Sequence, residues 1–209
     1  MTKIKNKRLL IFDLDGVLFN SKENMKIAWI STSKKFNLNI PFSLYFKNIG
    51  MPFLDILRTL NVKPEIKLFK HFQSVSKKNL MQIKPYNRVI EELKLITHKE
   101  LKFSIVTSKD FKRTKLLLRK YNIKPNSLHC PNNKLRGKPH PDHLLKSLEK
   151  NKVKAKDACF LGDTKIDYLA AKRAKVDFVF VKYGYGKYEK SYKNSISNFS
   201  EIKKFFKGR

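Results

Sequence analysis

Asp13 and Asp15 close an apolar run, Leu9-Leu10-Ile11-Phe12, and are followed at once by Gly16. Residues two apart in an extended chain point the same way, and a turn past the strand end lets two such carboxylates converge on one small volume. Unpaired charge at the edge of a core is costly, so the pair suits a site that binds something, most simply a hard cation such as Mg²⁺. Gly16 would let the backbone bend closely around it. From these residues alone, an ordinary strand ending in an Asp-Gly turn reads equally well. Three further stretches bear on the choice. Thr107 and Ser108 end the apolar run Phe103 to Val106. Gly162-Asp163-Thr164 ends another run, with Asp167 in the following turn. Between them lies Gly137-Lys138-Pro139-His140-Pro141-Asp142. Several carboxylates can hold Mg²⁺ through oxygen. One of them can attack phosphorus and form an aspartyl-phosphate, while a second serves as acid toward the leaving oxygen and then as base toward water. Lysine, hydroxyls and backbone N–H groups can hold the phosphoryl oxygens.

These residues act together only if the chain sets the ends of their strands side by side. Asn24 to Phe36, Phe53 to Leu60 and Glu65 to Leu80 read as helices from their apolar spacing. They make residues 20–85 a helical cap inserted after the first strand, with residues 1–19 and 86–209 forming the core. From Pro85 onward the pattern alternates. Helices are predicted over Asn87–His98, Phe111–Tyr121, Pro141–Lys150, Lys165–Ala174 and Phe199–Phe206. Strands are predicted over Lys102–Thr107, Asn126–Cys130, Asp157–Leu161 and Phe178–Val181, the last followed by the loop Tyr183-Gly184-Tyr185-Gly186. This alternation predicts an α/β fold, a Rossmann-like parallel sheet flanked by helices. In such sheets ligands bind outside the carboxyl ends of the strands, which is where the acids, the hydroxyls and the lysine fall.

Asp13-Leu-Asp15-Gly-Val, the strand ending in Thr107-Ser108, Lys138-Pro-His-Pro-Asp and Gly-Asp163-Thr-Lys-Ile-Asp167 together resemble the four motifs of the haloacid dehalogenase-like hydrolase superfamily. They occur in the family's order, and the resemblance covers nearly the whole chain. The helical insertion and the Tyr183–Gly186 loop are similar to the phosphoglycolate phosphatase and β-phosphoglucomutase branch. The resemblance implies a Mg²⁺-dependent phosphomonoesterase. Asp13 would be nucleophile and metal ligand, and Asp15 the general acid/base that gives the metal its backbone carbonyl. Thr107 and Ser108 would bind the phosphoryl group, and Lys138 would pair with it and with Asp13. Asp163 would ligate Mg²⁺, and Asp167 would act directly or through a water. Ile49-Gly50-Met51-Pro52 looks like the cap loop that contacts substrate, with Gly50 and Met51 at its centre. Where the family often has Pro-x-x-Gly, this chain has Pro85-Tyr86-Asn87-Arg88, and Asn87 is the residue expected to tolerate left-handed geometry. A sugar phosphomutase shares every motif and is the nearest alternative.

Composition narrows the partners. The 209 residues carry 47 Lys+Arg against 17 Asp+Glu, a net charge of +30. Such charge suits nucleic acid, which leaves a polynucleotide end phosphatase as a further alternative. Lysine is spread through nearly every block of ten, however, which favours biased composition and a small phosphorylated metabolite as substrate. No apolar run approaches the length needed to span a bilayer, and the run behind the basic Met1 to Arg8 is too short for a signal peptide. Two cysteines, Cys130 and Cys159, make no disulfide framework and suit the cytoplasm. His129, Cys130, His140 and His143 match no zinc spacing and are read as packing residues. Trp29 is read as cap core, and the basic run around Phe111 to Lys120 as a solvated helix face.

Overall fold

The computed structural model describes residues 4–63 and 65–206; the outermost residues of the expected core, 1–3 and 207–209, lie outside them. The chain opens with β1 (Leu9–Phe12), whose four residues are all buried, as an unbroken apolar run requires when both faces of a sheet are covered. It leaves the sheet through β2 (Phe19–Asn20) and forms α1 (Lys22–Lys35), α2 (Phe42–Lys47), α3 (Phe53–Thr59) and α4 (Ile66–Lys78). It returns through β3 (Lys84–Pro85), which pairs antiparallel with β2. The alternating part follows: α5 (Val89–His98), β4 (Lys102–Val106), α6 (Phe111–Lys120), β5 (Ser127–His129), α7 (Asp142–Asn151), β6 (Ala158–Gly162), α8 (Lys165–Ala174), β7 (Asp177–Val181) and β8 (Ser195–Ile196). The sheet order is β5-β4-β1-β6-β7-β8, and each neighbouring pair is parallel. The order builds outward from β1 on one side and then on the other, so the crevice of a doubly wound sheet falls at the end of β1. The α/β architecture expected from the alternation is therefore the one observed.

Two apolar clusters cover the faces of this sheet, one against α5 and α6 and the other against α7 and α8. A third belongs to α1–α4 and is largely aromatic. Trp29 is fully buried and stacks on Tyr45 at 4.4 Å between centroids, and its indole N–H donates to the Ile40 carbonyl at 2.9 Å. Tyr45, Phe53 and Phe72 contact one another around it.

Several local features differ from the sequence reading. The strands β2, β3 and β8 are two residues long and α2 only six, too short to leave a periodic signal. The closing helix, Phe199–Phe205, is 3₁₀ rather than α. Its buried Phe199, Ile202 and Phe205 recur every third residue, which suits three residues per turn. At the Pro85 turn the left-handed residue is Arg88, at φ 65°, and not Asn87, since it is the position directly before α5 that must take that geometry. The basic run of α6 is solvated at Lys112, Lys115 and Arg119, but Arg113 is buried. Its guanidinium pairs with Asp110 and donates to Ser76 Oγ at 2.7 Å. Ser76 in turn donates to Asn24 at 2.6 Å, so one arginine ties α6 to α4 and α1. No helix among the described residues is long and apolar enough to cross a membrane.

Candidate active site

Asp13 follows β1 directly, and its backbone N–H donates to the Leu161 carbonyl of β6 at 3.0 Å. That bond fixes the first carboxylate at the centre of the sheet's edge. Lys138, 2% exposed, reaches in from the loop before α7. Its ammonium lies 2.9 Å from Asp13 Oδ1 and 2.7 Å from Asp167 Oδ1. Asp167 is held from its other side by the turn that starts α8. Thr164 caps that helix, and Asp167 Oδ2 accepts from the Thr164 hydroxyl at 2.6 Å and its N–H at 3.1 Å. Asp163 Oδ2 accepts from the Tyr185 N–H at 2.6 Å, while its Oδ1 is buried without any partner. Gly16 lies so close that a Cβ there would fall 2.1 Å from Asp163 Oδ2, and its φ of +89° suits glycine besides.

Electrostatics follow from this crowding. Burial pushes the Asp13 carboxyl up to about 7, with Asp167 and Asp15 adding to the rise and Lys138 opposing it. Burial likewise raises Asp163 well above the usual carboxylate range, reinforced by Asp167 and Asp13. Lys138 loses solvation too, but its two carboxylate partners outweigh that loss and hold it protonated. Three buried carboxylates thus face one buried ammonium. Asp13, Asp163 and Asp167 each offer an oxygen within 4.8 Å of the others, the one such ligand group among the described residues. A divalent cation fits this set on three grounds: all-oxygen donors, an orphaned Asp163 Oδ1, and three crowded carboxylates with a single ammonium among them, whose ionisation a bound cation would favour. His129, Cys130, His140 and His143 form no such group; His143 is buried with both ring nitrogens unpartnered.

Asp15 stands apart from the acidic cluster. Its Oδ1 accepts from Ser21 Oγ at 2.5 Å and its Oδ2 pairs with Lys109 at 3.1 Å. It shares with Asp13, Thr107, Ser108 and Lys109 a cavity of about 50 Å³, roofed by Met25, Tyr45, Gly50, Met51, Phe53 and Phe72. Of the residues singled out in the sequence, Asp13, Asp163, Asp167 and Lys138 come together, Thr107 lies beside them, and Gly50 and Met51 close over them. The Ser108 hydroxyl is engaged elsewhere, donating to the Gly50 carbonyl at 2.6 Å. The sequence reading missed Lys109, Ser21 and the Tyr185 N–H. Lys109 directly follows Thr107-Ser108 and could have been noticed there. Ser21 carries no signal without the fold, and the Tyr183–Gly186 loop stands out in the sequence without showing that its backbone meets Asp163.

Comparisons with known proteins agree with this geometry. The profile of the haloacid dehalogenase-like hydrolases matches residues 10–181. The chain is 30% identical over 206 residues to the phosphoglycolate phosphatase of Pasteurella multocida, covering 88% of each. It is 23% identical over 175 residues to the pyrophosphatase PpaX of Oceanobacillus iheyensis, covering 81% of this chain and 80% of that one. The crystal structure of a candidate phosphoglycolate phosphatase from Lactobacillus plantarum matches with a TM-score of 0.84 at 21% identity, covering 96% of this chain and 100% of the other. That likeness carries the fold alone. With its profile spanning the sheet and the acidic cluster alike, the chain belongs to the haloacid dehalogenase-like hydrolases, as an enzyme of their phosphoglycolate phosphatase-like branch.

Proposed function

We propose that this enzyme is a Mg²⁺-dependent phosphomonoesterase acting on a small phosphorylated metabolite through an aspartyl-phosphate. The observation that carries the reading is the buried cluster of Asp13, Asp163 and Asp167, with Lys138 paired to Asp13 and Asp167, whose Asp13 also lies on the floor of a small cavity with Asp15 and Thr107. Residues 20–85 would act as the cap over that floor. Asp13 attacks phosphorus, forming an O–P bond as the ester oxygen departs. Asp15, on the same cavity, protonates the departing oxygen and later takes a proton from the water that cleaves the acyl phosphate. Lys138 and the Thr107 hydroxyl hold the phosphoryl oxygens, and Lys138 also keeps Asp13 in line. Asp13, Asp163 and Asp167 would hold Mg²⁺, which when bound offsets the charge of an anionic substrate. Cys130 and Cys159 are both free and buried, which suits a reducing cytoplasm.

The cavity lining bears on the alternatives. Met25, Tyr45, Met51, Phe53 and Phe72 form a largely apolar roof over Asp13 and Asp15, where a groove for a polynucleotide backbone would be basic, which favours a small substrate over nucleic acid. A phosphomutase would use the same residues and differs only in whether the aspartyl-phosphate meets water or a second hydroxyl. The deciding experiment is a screen of phosphorylated metabolites with Mg²⁺, following inorganic phosphate release. Release from one or a few small esters, lost on chelation and restored by Mg²⁺, is expected. Release that persists after exhaustive chelation, or none from any ester, overturns the reading.

A further inference from the structure

One short segment of the helical roof, Gly50-Met51-Pro52, packs closely on the sheet-side loops. It touches all three of the loops that carry the expected site residues besides Asp13 and Asp15. On the first, Ser108 Oγ donates to the Gly50 carbonyl at 2.6 Å. On the second, Gly50 sits against Thr164 and Ile166: a Cβ built there would lie 2.8 Å from Thr164 Oγ1 and 3.3 Å from Ile166 Cβ, and the φ of +102° is one that side chains rarely adopt. On the third, a Cβ at Gly137 would lie 2.3 Å from Pro52 Cγ, so the residue before Lys138 must be small for the segment to seat. The segment therefore rests on a hydrogen bond and two close approaches. The close approaches are to side-chain atoms of Thr164, Ile166 and Pro52, and the hydrogen bond comes from the side chain of Ser108.

We propose that Ser108 is a positioning residue, whose hydroxyl holds Gly50–Pro52 down as the seal of the cavity rather than gripping the phosphoryl group. A hydroxyl has a single proton to donate. While it is given to the Gly50 carbonyl, it is not available to a phosphoryl oxygen. The seal matters because Met51 and Gly50 line the cavity opposite Asp13 and Asp15. With the segment down, the reacting groups are shielded from bulk water and the charges on the floor act in a low dielectric. This role rests on the reading that hydrolysis occurs in this cavity, but its structural half does not.

The test uses the full-length protein and two variants. Hydrogen–deuterium exchange without substrate should be about 2- to 10-fold faster in Ser108→Ala at the hydrogen-bonded amides that flank the segment, Ile49, Asp55 and Ile56, the worth of one hydrogen bond. The β4 amides should be unchanged. Gly137→Ala, which pushes Pro52 away without touching Ser108, should give the same local acceleration. Once a substrate is known, Ser108→Ala should raise KM about 2- to 10-fold, by more than it lowers kcat. Unchanged exchange at those flanking amides in Ser108→Ala would overturn the proposal, as would a fall in kcat at constant KM, which marks a group that grips the phosphoryl in the transition state. If the wild type hydrolysed no ester at all, the phosphatase reading would fail while the exchange result still decided the role of Ser108.

Discussion

On the sheet-side floor Asp13 lines the cavity and is buried beside Asp163, Asp167 and Lys138, whose ammonium pairs with Asp13 and Asp167. On the roof Tyr45, Phe53 and Phe72 fill space by ring contact, with Trp29 behind them. The floor crowds three acids about one lysine and gains its geometry from the sheet and the start of α8, because Asp13 and Asp163 directly follow β1 and β6 while Asp167 lies in the first turn of α8. The roof has no such scaffold and holds its shape through its own apolar cluster. A charge deleted from the floor should therefore alter chemistry more than stability, and a ring deleted from the roof should do the reverse.

Asp13→Asn is the strongest test of that contrast. Turnover should fall by at least about 10⁴-fold, the scale on which loss of a nucleophile is felt. Without Mg²⁺ the variant should melt at or above the wild type, because one of three crowded carboxylates has become neutral. A folded Asp13→Asn enzyme with near-normal activity, measured by steady-state kinetics, would break the assignment. Asp15→Asn should slow unactivated esters by about 10²- to 10⁴-fold and an activated aryl phosphate less in the first step. Rapid-quench kinetics with the activated substrate should show a burst followed by slow turnover. Equal slowing of both substrates without a burst would remove Asp15 from proton transfer.

Trp29→Ala reverses the pattern. It should cost about 3–5 kcal/mol of stability, as for other buried tryptophans, read by urea denaturation, while the Asp13 chemistry persists at temperatures where the variant is folded. The smallest effect lies away from both regions, at His129. Burial, then His143 and Lys146, lower its pKa from 6.5 to about 4. As pH falls the unfolded chain takes up this proton first, so the stabilisation present above about 6.5 is lost toward about 4. His129→Gln should make the fall of the urea midpoint across that window shallower, and an unchanged slope would exclude His129 as a contributor.

The acids of the floor and the longer helices of the roof were legible in the sequence, and the residues that join the two were not, for a physical reason. Asp13, Asp163 and Asp167 stand out as acids at or after the ends of apolar runs in a chain with only 17 acids, and Lys138 through the Pro-His-Pro-Asp that follows it. Lys109 and Arg113 are equally buried, yet among 47 basic residues neither stands out until Asp15 and Ser76 are seen beside them. Tyr185 is invisible in another way, because its backbone N–H, not its side chain, meets Asp163. The long elements followed from periodicity. The two-residue strands followed from nothing local, since their pairing is set by parts of the chain far apart in sequence.

One of those short pairings reaches beyond the present enzyme. Phe19 lies opposite Pro85 and Asn20 opposite Lys84, so the chain departs from the sheet and comes back to it at a single stem. Whatever is hung from that stem need not alter the register of β1 against β4, and the entropic cost of a longer excursion grows only logarithmically. The stem thus works as a mount: a roof of another size or lining would leave the register of the strands beneath it unchanged.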